Sequence, residues 1–488
     1  MTPSFSDKVQ SGADANASDT HDYGADRAIE LAVVGHTNTG KTSLLRTLTR
    51  NARFGRVENS PGTTRHVEGA RVKLSGHALV EWFDTPGMED SVALRDYVDT
   101  LCANQRIDGP DRIRRLLESP EAHRRFEQEA RVLEKVLHAD AALYVIDARD
   151  PVLAKHTDEL ALLAACGRPL LPVLNFTSSP SHRAAQWRTA MARLGLHVQA
   201  EFDTVLPPLD GESELYDRLA LLLHAQAPRL HALAAELATQ RRVRGEAAHV
   251  LLAGLLIDAA ALHIACPPDD ASVQQATTLL QTRVREREQH FIDATLKLYR
   301  FGPDDYTAHA LPLSGQRWGM DLFHPQALKD MGIQVGTGMA AGAMAGAAVD
   351  LMTAGLSLGT GALLGAAAGG AWTGVSRLGR RMAGKLRGHR EISVDDAVLR
   401  LLAIRGRALI RALDRRGHAA THPLGLDTAA APGLREGKLP AEIQEARSRA
   451  EWSTLGTGFE DDERRKKVVT SLALALGKDD EEAVGIPA

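Results

Sequence analysis

Eight consecutive residues near the N-terminus have the types and spacing of a loop that holds phosphate groups. They run from Gly35 to Thr42 and read Gly-His-Thr-Asn-Thr-Gly-Lys-Thr. The two glycines let backbone N–H groups turn towards an anion with no Cβ in the way. Lys41 would reach the β and γ phosphates, and the hydroxyl of Thr42 would bind Mg²⁺. The pattern predicts a nucleoside triphosphate site, with a chance Gly/Thr turn as the alternative.

The segments on either side of this loop are those that the motif needs. The apolar run from Ile29 to Val34 predicts a strand, and the stretch from Lys41 to Leu48 predicts a helix. The N-terminus of that helix would add partial positive charge where the anion lies. The predicted nucleotide-binding residues are Gly35, His36, Thr37, Asn38, Thr39, Gly40, Lys41, Thr42 and Ser43, with Asn175 further along the chain.

A carboxylate at the end of a later strand is the second part of the predicted site. Strand-like runs from Val67 to Leu74 and from His77 to Phe83 are followed by Asp-Thr-Pro-Gly at residues 84–87. Mg²⁺ prefers oxygen ligands, and a phosphate-binding sheet places them at the C-terminal ends of its strands. Asp84 is therefore predicted to anchor Mg²⁺ and Gly87 to sense the γ-phosphate. A plain turn residue is the alternative for Asp84.

Together with Pro-Gly-Thr-Thr-Arg-His at residues 61–66, these motifs resemble those of Era-like bacterial GTPases of the TrmE-Era-EngA type. The resemblance covers about residues 28–225 and implies an α/β fold, a P-loop GTPase domain with a mostly parallel sheet flanked by helices. It implies GTP and GDP as ligands and a slow hydrolysis that a partner or a cation stimulates. It also assigns catalytic roles to Lys41, Thr64 and Gly87, and Mg²⁺ ligation to Thr42, Thr64 and Asp84. Family members that use K⁺ have an asparagine where this chain has Asn38.

The part of the motif that reads the base departs from this family. The family pattern is Asn-Lys-x-Asp followed by Ser-Ala-Lys in the next loop, whereas this chain has Asn175, Phe176 and Ser178, and no Ser-Ala-Lys between residues 196 and 205. The family's aspartate grips two N–H groups of guanine, and a serine cannot reproduce that contact. GTP remains the predicted ligand on the phosphate-side motifs, with weak base specificity as an open alternative.

The second switch segment differs from that of Ras-type GTPases, as it does in many Era-like members. Met88 follows Gly87 where Ras-type enzymes have a glutamine, so the attacking water is not expected to be held by this side chain. An insertion at about residues 91–138 predicts two helices, Val92 to Asn104 and Pro110 to His138. The insertion is either a solvated decoration or a lever that transmits γ-phosphate loss.

The composition limits the fold and the partners. The chain has 488 residues, a formal net charge of −4, 44% hydrophobic, 25% charged and only 4% aromatic residues. This length predicts about two to four domains, and the abundance of Ala, Leu and Gly favours helix over sheet. The mild acidity argues against a nucleic-acid partner. Three scattered cysteines and an N-terminus without an apolar core predict a cytoplasmic protein, with a disordered segment at residues 1–25.

The C-terminal half predicts an α-helical domain at residues 226–415 and a loop-rich tail with short helices at 416–488. The helix that begins at Gly211 is predicted to continue to Gln240. The apolar run from Ala247 to Cys266 contains His249, Asp258 and His263, and these polar residues favour a buried helix over a membrane span. The charged segment from Val273 to Leu298 and the stretch from Val394 to Leu413 predict further helices.

Residues 331–376 contain one charged residue, Asp350, and glycines that recur every four positions. This glycine zipper lets helix backbones approach closely, and a break near residues 353–355 predicts a hairpin of two helices. A basic cluster follows it at Arg377, Arg380, Arg381, Lys385, Arg387 and Arg390. Residues 331–390 either anchor the chain to membrane lipid, peripherally or integrally at the inner membrane, or form a soluble packed hairpin.

Three functions follow from these observations. The first is a GTP-binding and GTP-hydrolysing regulatory switch whose nucleotide state controls the helical domain and an unidentified protein partner. The second is a membrane-inserting or membrane-remodelling effector that nucleotide triggers. The third and weakest is a ribosome- or RNA-associated GTPase, against which the absence of a Gly-x-x-Gly clamp in a credible context counts.

Overall fold

A six-stranded sheet with helices on both faces forms the N-terminal unit of the protein in this computed structural model. The structure describes residues 27–50, 68–74, 77–103, 106–300, 313–314, 317–318, 321–324, 327–328, 333, 347–349, 389–414 and 438–484. The predicted N-terminal segment 1–25 and residue Thr64 lie outside these ranges. The strands are β1 (Ile29–Val34), β2 (Glu68–Leu74), β3 (His77–Asp84), β4 (Ala141–Asp147), β5 (Leu170–Asn175) and β6 (Ala200–Glu201).

The sheet has the order β2-β3-β1-β4-β5-β6, in which β2 and β3 are antiparallel and all other neighbours are parallel. Alternate residues of β1 enter opposite cores, Leu31 and Val33 on one face and Ala32 and Val34 on the other. Burial on both faces explains why the parallel strands read as nearly continuous apolar runs. The fold class predicted from the sequence, a mostly parallel α/β unit followed by a mainly helical one, is confirmed.

Seven helices of the described residues belong to this unit. They are α1 (Lys41–Thr49), α2 (Ser91–Leu101), α3 (Gly109–Leu117), α4 (Glu127–His138), α5 (Ala154–Ala165), α6 (Ala184–Arg193) and α7 (Gly211–Leu222). The insertion at 91–138 contains three α-helices, and the prediction of two is wrong. The second predicted helix is broken because Ser119 accepts the backbone N–H of Ala122 and starts a separate 3₁₀ turn at Pro120–His123.

One long helix, α8 (Ala227–Ala261), belongs to both units of the protein. Its first turns place Leu230, Leu233 and Ala234 in the core beneath the N-terminal sheet. Its last turns, from Ala248 onwards, lie in the core of the helical unit. At about 1.5 Å per residue, its 35 residues extend over roughly 50 Å.

The start of α8 corrects the prediction that the helix from Gly211 continues to Gln240. Helix α7 ends at Leu222, a short 3₁₀ turn occupies His224–Gln226, and Pro228 lies in the first turn of α8. Proline fits a first turn because its missing N–H would have no partner within the helix there. The predicted buried helix at 247–266 is also too long, since α8 ends at Ala261 and a strand follows.

The helical unit continues with four further helices in the described ranges. They are α9 (Asp270–Leu298), α10 (Asp396–Asp414), α11 (Ala441–Arg447) and α12 (Glu463–Val484). An antiparallel sheet β10-β11-β7 accompanies them, made of β7 (His263–Cys266), β10 (Ala347–Val349) and β11 (Arg390–Val394), and a small hairpin pairs β8 (Leu313–Ser314) with β9 (Arg317–Trp318). The core includes Trp452, Leu472 and Leu476. The prediction of a loop-rich tail is therefore wrong for residues 438–476, because apolar side chains of α12 pack into the same core as α8.

The glycine zipper of residues 331–376 lies almost entirely outside the described residues. At Ala347–Val349 the structure has a strand that pairs with β11, so the prediction of helix is wrong at these three positions. Residues 416–437 of the predicted tail also lie outside the described ranges. Within the described ranges, no helix has both the length and the apolar composition that are needed to span a bilayer.

Candidate nucleotide site

The loop between β1 and α1 has a backbone that only glycine permits at two of its positions. Gly35 and Gly40 have φ angles of 142° and 94°, and Asn38 is also left-handed at 65°. A Cβ on Gly35 would lie 2.5 Å from the carbonyl oxygen of Val145, and one on Gly40 would lie 2.3 Å from Nδ2 of Asn175. The glycines therefore hold the loop against the ends of β4 and β5.

Lys41 is buried at the first position of α1, with 7% of its surface exposed. Its ammonium donates to the carbonyl oxygens of Gly35, at 3.1 Å, and of His36, at 2.7 Å. Burial lowers the pKa of Lys41 to about 8, an effect that nearby Asp84, Glu159 and Glu89 only partly oppose. A bound phosphate would add negative charge next to this ammonium and so raise the pKa of Lys41 again.

Thr42 and Asp84 lie together where the sequence predicts Mg²⁺. The Thr42 hydroxyl donates to Oδ2 of Asp84 at 2.6 Å, and Asp84 is 1% exposed. A hydroxyl and a carboxylate oxygen are hard ligands of the type that Mg²⁺ prefers. The ion's remaining coordination positions are usually filled by phosphate oxygens and water. Thr42 and Asp84 therefore fit Mg²⁺. Their ligation of the ion stays a prediction, and so does that of Thr64. Asn38 is exposed, and K⁺ ligation by this residue also stays a prediction.

The start of the second switch segment is bound directly to the phosphate loop. The backbone N–H of Met88 donates to the carbonyl oxygen of Gly35 at 3.3 Å, and His36 and Met88 form a parallel β-bridge. A Cβ on Gly87 would come within 2.8 Å of the backbone nitrogen of Thr37, so only glycine allows this approach. The Met88 side chain is 0% exposed and packs in the core, which excludes it from holding a water.

Sequence reasoning missed a partly buried polar network behind the phosphate loop. His36 Nδ1 lies 2.7 Å from the carbonyl oxygen of Met88 and 2.9 Å from Oε1 of Glu159. Tyr144 donates to the other oxygen of Glu159 at 2.6 Å, and Lys155 Nζ lies 2.8 Å from His36 Nε2. No motif signals this network, because its members come from the loop, β4 and α5 and meet only in the fold.

Asn175 joins three loops at the end of β5. Its Nδ2 donates to the carbonyl oxygen of Thr39 at 2.9 Å. Its Oδ1 accepts the backbone N–H groups of Phe176, at 2.8 Å, and Thr204, at 2.9 Å. The predicted binding residue therefore positions the phosphate loop against the two loops that would surround the base.

Phe176 occupies the place of the family's lysine and lies over the phosphate loop. It has a left-handed φ of 59°, and its Cζ is 3.3 Å from the position of a Cβ on Gly40. The guanidinium of Arg149 stacks on its ring at 4.0 Å from the centroid. Arg149 is held in turn by Asp147, whose carboxylate accepts its Nε at 2.9 Å and its Nη2 at 2.6 Å.

Sequence reasoning also missed Asp203, in the loop after β6. Ser178 is exposed and donates its backbone N–H at 2.9 Å, and its hydroxyl, to Oδ2 of Asp203. Oδ1 of Asp203 accepts the backbone N–H groups of Val205, at 2.8 Å, and Leu206, at 3.1 Å. An acidic residue in the loop where the family has Ser-Ala-Lys is the signal that could have revealed it.

Two family models match the chain. The model described as "50S ribosome-binding GTPase" matches residues 30–176, and the model described as "Domain of unknown function (DUF3482)" matches residues 188–474. The second match covers more than half of the chain and includes α8 and the helical unit.

Short segments of the chain are similar to curated proteins. Translation initiation factor IF-2 of Bdellovibrio bacteriovorus is 40% identical over 65 residues, which are 13% of this chain and 6% of that protein. The probable GTP-binding protein EngB of Mycoplasma capricolum is 29% identical over 75 residues, 14% of this chain and 37% of that protein. The chain thus spans well under two thirds of the length of these relatives.

Similar solved structures include a variant of Era from Aquifex aeolicus bound to GDP.AlF4⁻, at 17% identity and a TM-score of 0.28, covering 40% of this chain and 56% of that one. The G domain of the T. maritima FeoB iron transporter matches at 18% identity and a TM-score of 0.23, covering 40% of this chain and 99% of that one.

Proposed function

The chain belongs to the DUF3482 family and carries an Era-like GTPase domain in front of it, and from this premise we propose that it is a nucleotide-controlled regulatory switch. In this proposal GTP binds at the loop of residues 35–42, and its hydrolysis changes the position of the helical unit. Helix α8 is the observation that carries the proposal, because one continuous helix supplies side chains to both cores.

The phosphate side of the site supports binding and hydrolysis of GTP. Lys41 and the N-terminus of α1 would neutralise charge that develops between the β and γ phosphates. Mg²⁺, when bound by Thr42 and Asp84, would supply further charge stabilisation on the phosphate oxygens. Because the side chain of Met88 is buried, it does not orient the attacking water, and we expect a slow intrinsic rate that a partner or a cation stimulates.

The contact between Gly87 and Thr37 supports a conformational response to the third phosphate. In the described conformation Gly87 lies against the loop, as close as a glycine allows. A γ-phosphate that binds over this loop would compete with Gly87 for space. The segment that follows, from Met88 into α2, would then move with it.

The surface between the two units contains charged groups that could transmit such a movement. Arg50, which caps α1, pairs with Glu212 at the start of α7 at 3.0 Å. Next to this pair, a cavity of about 70 Å³ is also lined by Arg244 of α8 and by Asp414 and Tyr299 of the helical unit. Tyr299 donates to Asp414 at 2.8 Å. A shift of α1 would therefore change the surroundings of charged and polar groups that belong to both units.

Hydrogen exchange of the full chain with GDP and with a non-hydrolysable GTP analogue tests this proposal. We expect exchange to differ between the two states in residues 91–103 and in the second half of α8. The Lys41→Ala variant should lose nucleotide binding and with it the difference. A difference confined to residues 35–103, or normal phosphate release by Lys41→Ala, would contradict the proposal.

A further inference from the structure

The base end of the site contains the same two residue types as the family pattern, exchanged between two loops. The family has aspartate in the loop after β5 and serine in the loop after β6. Here Ser178 follows β5 and Asp203 follows β6, and the two side chains are hydrogen-bonded to each other. A carboxylate that could bind guanine is therefore present, but it belongs to the loop after β6 instead of the loop after β5.

The exchange matters because Asp203 is fully engaged within the protein. A carboxylate offers about four acceptor positions. Those of Asp203 are taken by the hydroxyl and N–H of Ser178 and by the N–H groups of Val205 and Leu206. Asp203 is 3% exposed, whereas its partner Ser178 is exposed. A guanine could gain its two N–H contacts only by displacing these internal donors.

The same arrangement removes donors as well as acceptors. The N–H groups of Val205 and Leu206 bind Asp203, and so they cannot also bind the O6 atom of a guanine. Asp147, the other buried carboxylate at this end, is occupied by Arg149.

What this end does offer a base is a stacking surface. The Phe176 ring carries Arg149 on one side, and stacking on an aromatic ring tolerates any base. The Thr204 hydroxyl has no hydrogen-bond partner among the described residues, but it is itself buried and is not an exposed contact for the base.

We propose that this site holds purine nucleotides by their phosphates and by stacking on Phe176, and that it does not select guanine through its N1–H and 2-amino groups. The proposal rests on the proposed function, since it requires nucleotide at the phosphate loop. It widens the substrate class to purine nucleoside di- and triphosphates, inosine nucleotides included.

Competition binding tests the proposal with GDP, IDP and ADP against a fluorescent GDP analogue, on the full chain with Mg²⁺. IDP lacks only the 2-amino group. We expect the affinities for GDP and IDP to lie within tenfold of each other, and those for GDP and ADP likewise. A preference for GDP of more than tenfold over either competitor would overturn the proposal.

Three variants, one of them a control, sharpen the test. The exchange variant Ser178→Asp/Asp203→Ser restores the family order and should favour GDP over IDP by more than tenfold, whereas Ser181→Asp, which adds a carboxylate elsewhere in the same loop, should not. Phe176→Ala should weaken the binding of GDP and of IDP equally, by fivefold or more, and unequal weakening would count against stacking.

The failure of this inference can be told from the failure of the proposed function. If none of the nucleotides binds the wild-type chain, the proposed function itself fails. If nucleotide binds with a strong preference for GDP, only this inference fails.

Discussion

The Nδ1 atom of His36 lies 2.7 Å from the carbonyl oxygen of Met88 and 2.9 Å from Oε1 of Glu159. Both partners are acceptors, so Nδ1 carries the proton. Lys155 lies 2.8 Å from the other ring nitrogen, and because an ammonium group can only donate, Nε2 is the acceptor of that pair. The phosphate loop is thus joined to the second switch segment by a proton that two acceptors share.

Replacing His36 by phenylalanine should loosen the second switch segment. Phenylalanine keeps an aromatic ring but has no ring nitrogen, so the Met88 carbonyl loses its donor and Glu159 keeps only the Tyr144 hydrogen bond. A net hydrogen bond contributes about 0.5–1.5 kcal/mol, so we expect GDP release to accelerate by roughly two- to tenfold. Stopped-flow displacement of a fluorescent GDP measures this rate. His138→Phe, at an exposed position, should leave it unchanged, and equal rates in both variants would contradict the role of His36.

Tyr144→Phe should destabilise the N-terminal unit. Glu159 is 0% exposed and accepts the Tyr144 hydroxyl at 2.6 Å. Burial and Glu159 raise the pKa of Tyr144 well above its ordinary value, so this hydroxyl stays a donor. Removing a donor from a buried carboxylate is expected to cost about 1–3 kcal/mol. Urea unfolding followed by tryptophan fluorescence measures the change in the free energy of unfolding.

The control for that measurement is Tyr97→Phe in α2. Tyr97 is only partly buried and contacts Phe126 through its ring, which the variant keeps. We expect a change within about 0.5 kcal/mol. A loss for Tyr144→Phe no larger than that of the control would show that the buried carboxylate does not depend on this hydroxyl.

Nucleotide binding should take up a proton at Lys41. Burial lowers the pKa of Lys41 from 10.5 to about 8, so near pH 8 about half of the free molecules have a neutral amine. Bound phosphate favours the ammonium form and raises this pKa. The sign follows: GDP affinity should be constant well below pH 8 and fall as the pH rises above it, by at most tenfold per pH unit.

Calorimetric titration at pH 8 in buffers of different ionisation enthalpy measures this uptake, which we expect to be near half a proton. Lys466→Met, at an exposed position of α12, should give the same value. An uptake near zero at pH 8, with the same affinity at pH 7 and pH 8.5, would show that Lys41 stays charged in the free protein.

The phosphate side of the site was predictable because its residues are consecutive and its chemistry demands particular types. Gly35, Gly40, Lys41 and Thr42 lie where the motif places them, and β1 and α1 have nearly the predicted bounds. The mostly parallel sheet was also predictable, because strands that are buried on both faces read as apolar runs. The phosphate-loop motif can be recognised in the sequence because the geometry of the loop depends on residues that are neighbours in the chain.

The base side and the helical unit were harder to predict because they depend on contacts between distant segments. Ser178 and Asp203 are 25 residues apart and meet only when β5 and β6 pair. The role of α8 in two cores is hidden by a polar middle section that resembles a linker. Residues 438–476 looked like a tail because the apolar positions of α12 have meaning only against the surface of α8.

Asp258 should be essential for holding the C-terminal helix α12 to the long helix α8. It is 1% exposed, and its two oxygens accept Nε of Arg287 at 2.8 Å and Nη2 of Arg465 at 2.9 Å. The Oδ1 atom also accepts the backbone N–H of Thr454 at 3.2 Å. Asp258 therefore joins α8, α9 and α12 at one point.

Asp258→Ala would leave two largely buried guanidinium groups without this shared carboxylate, and removing one partner of such a pair is expected to cost about 3–5 kcal/mol. Asp461→Ala removes a carboxylate that also pairs with Arg465, at 3.3 Å, but is 46% exposed. This control should change stability by about 1 kcal/mol or less, because solvent screens an exposed pair. Thermal unfolding of both variants gives the comparison. Limited proteolysis should release residues 463–484 from Asp258→Ala first, and equal resistance of the two variants would show that apolar packing alone holds α12 in place.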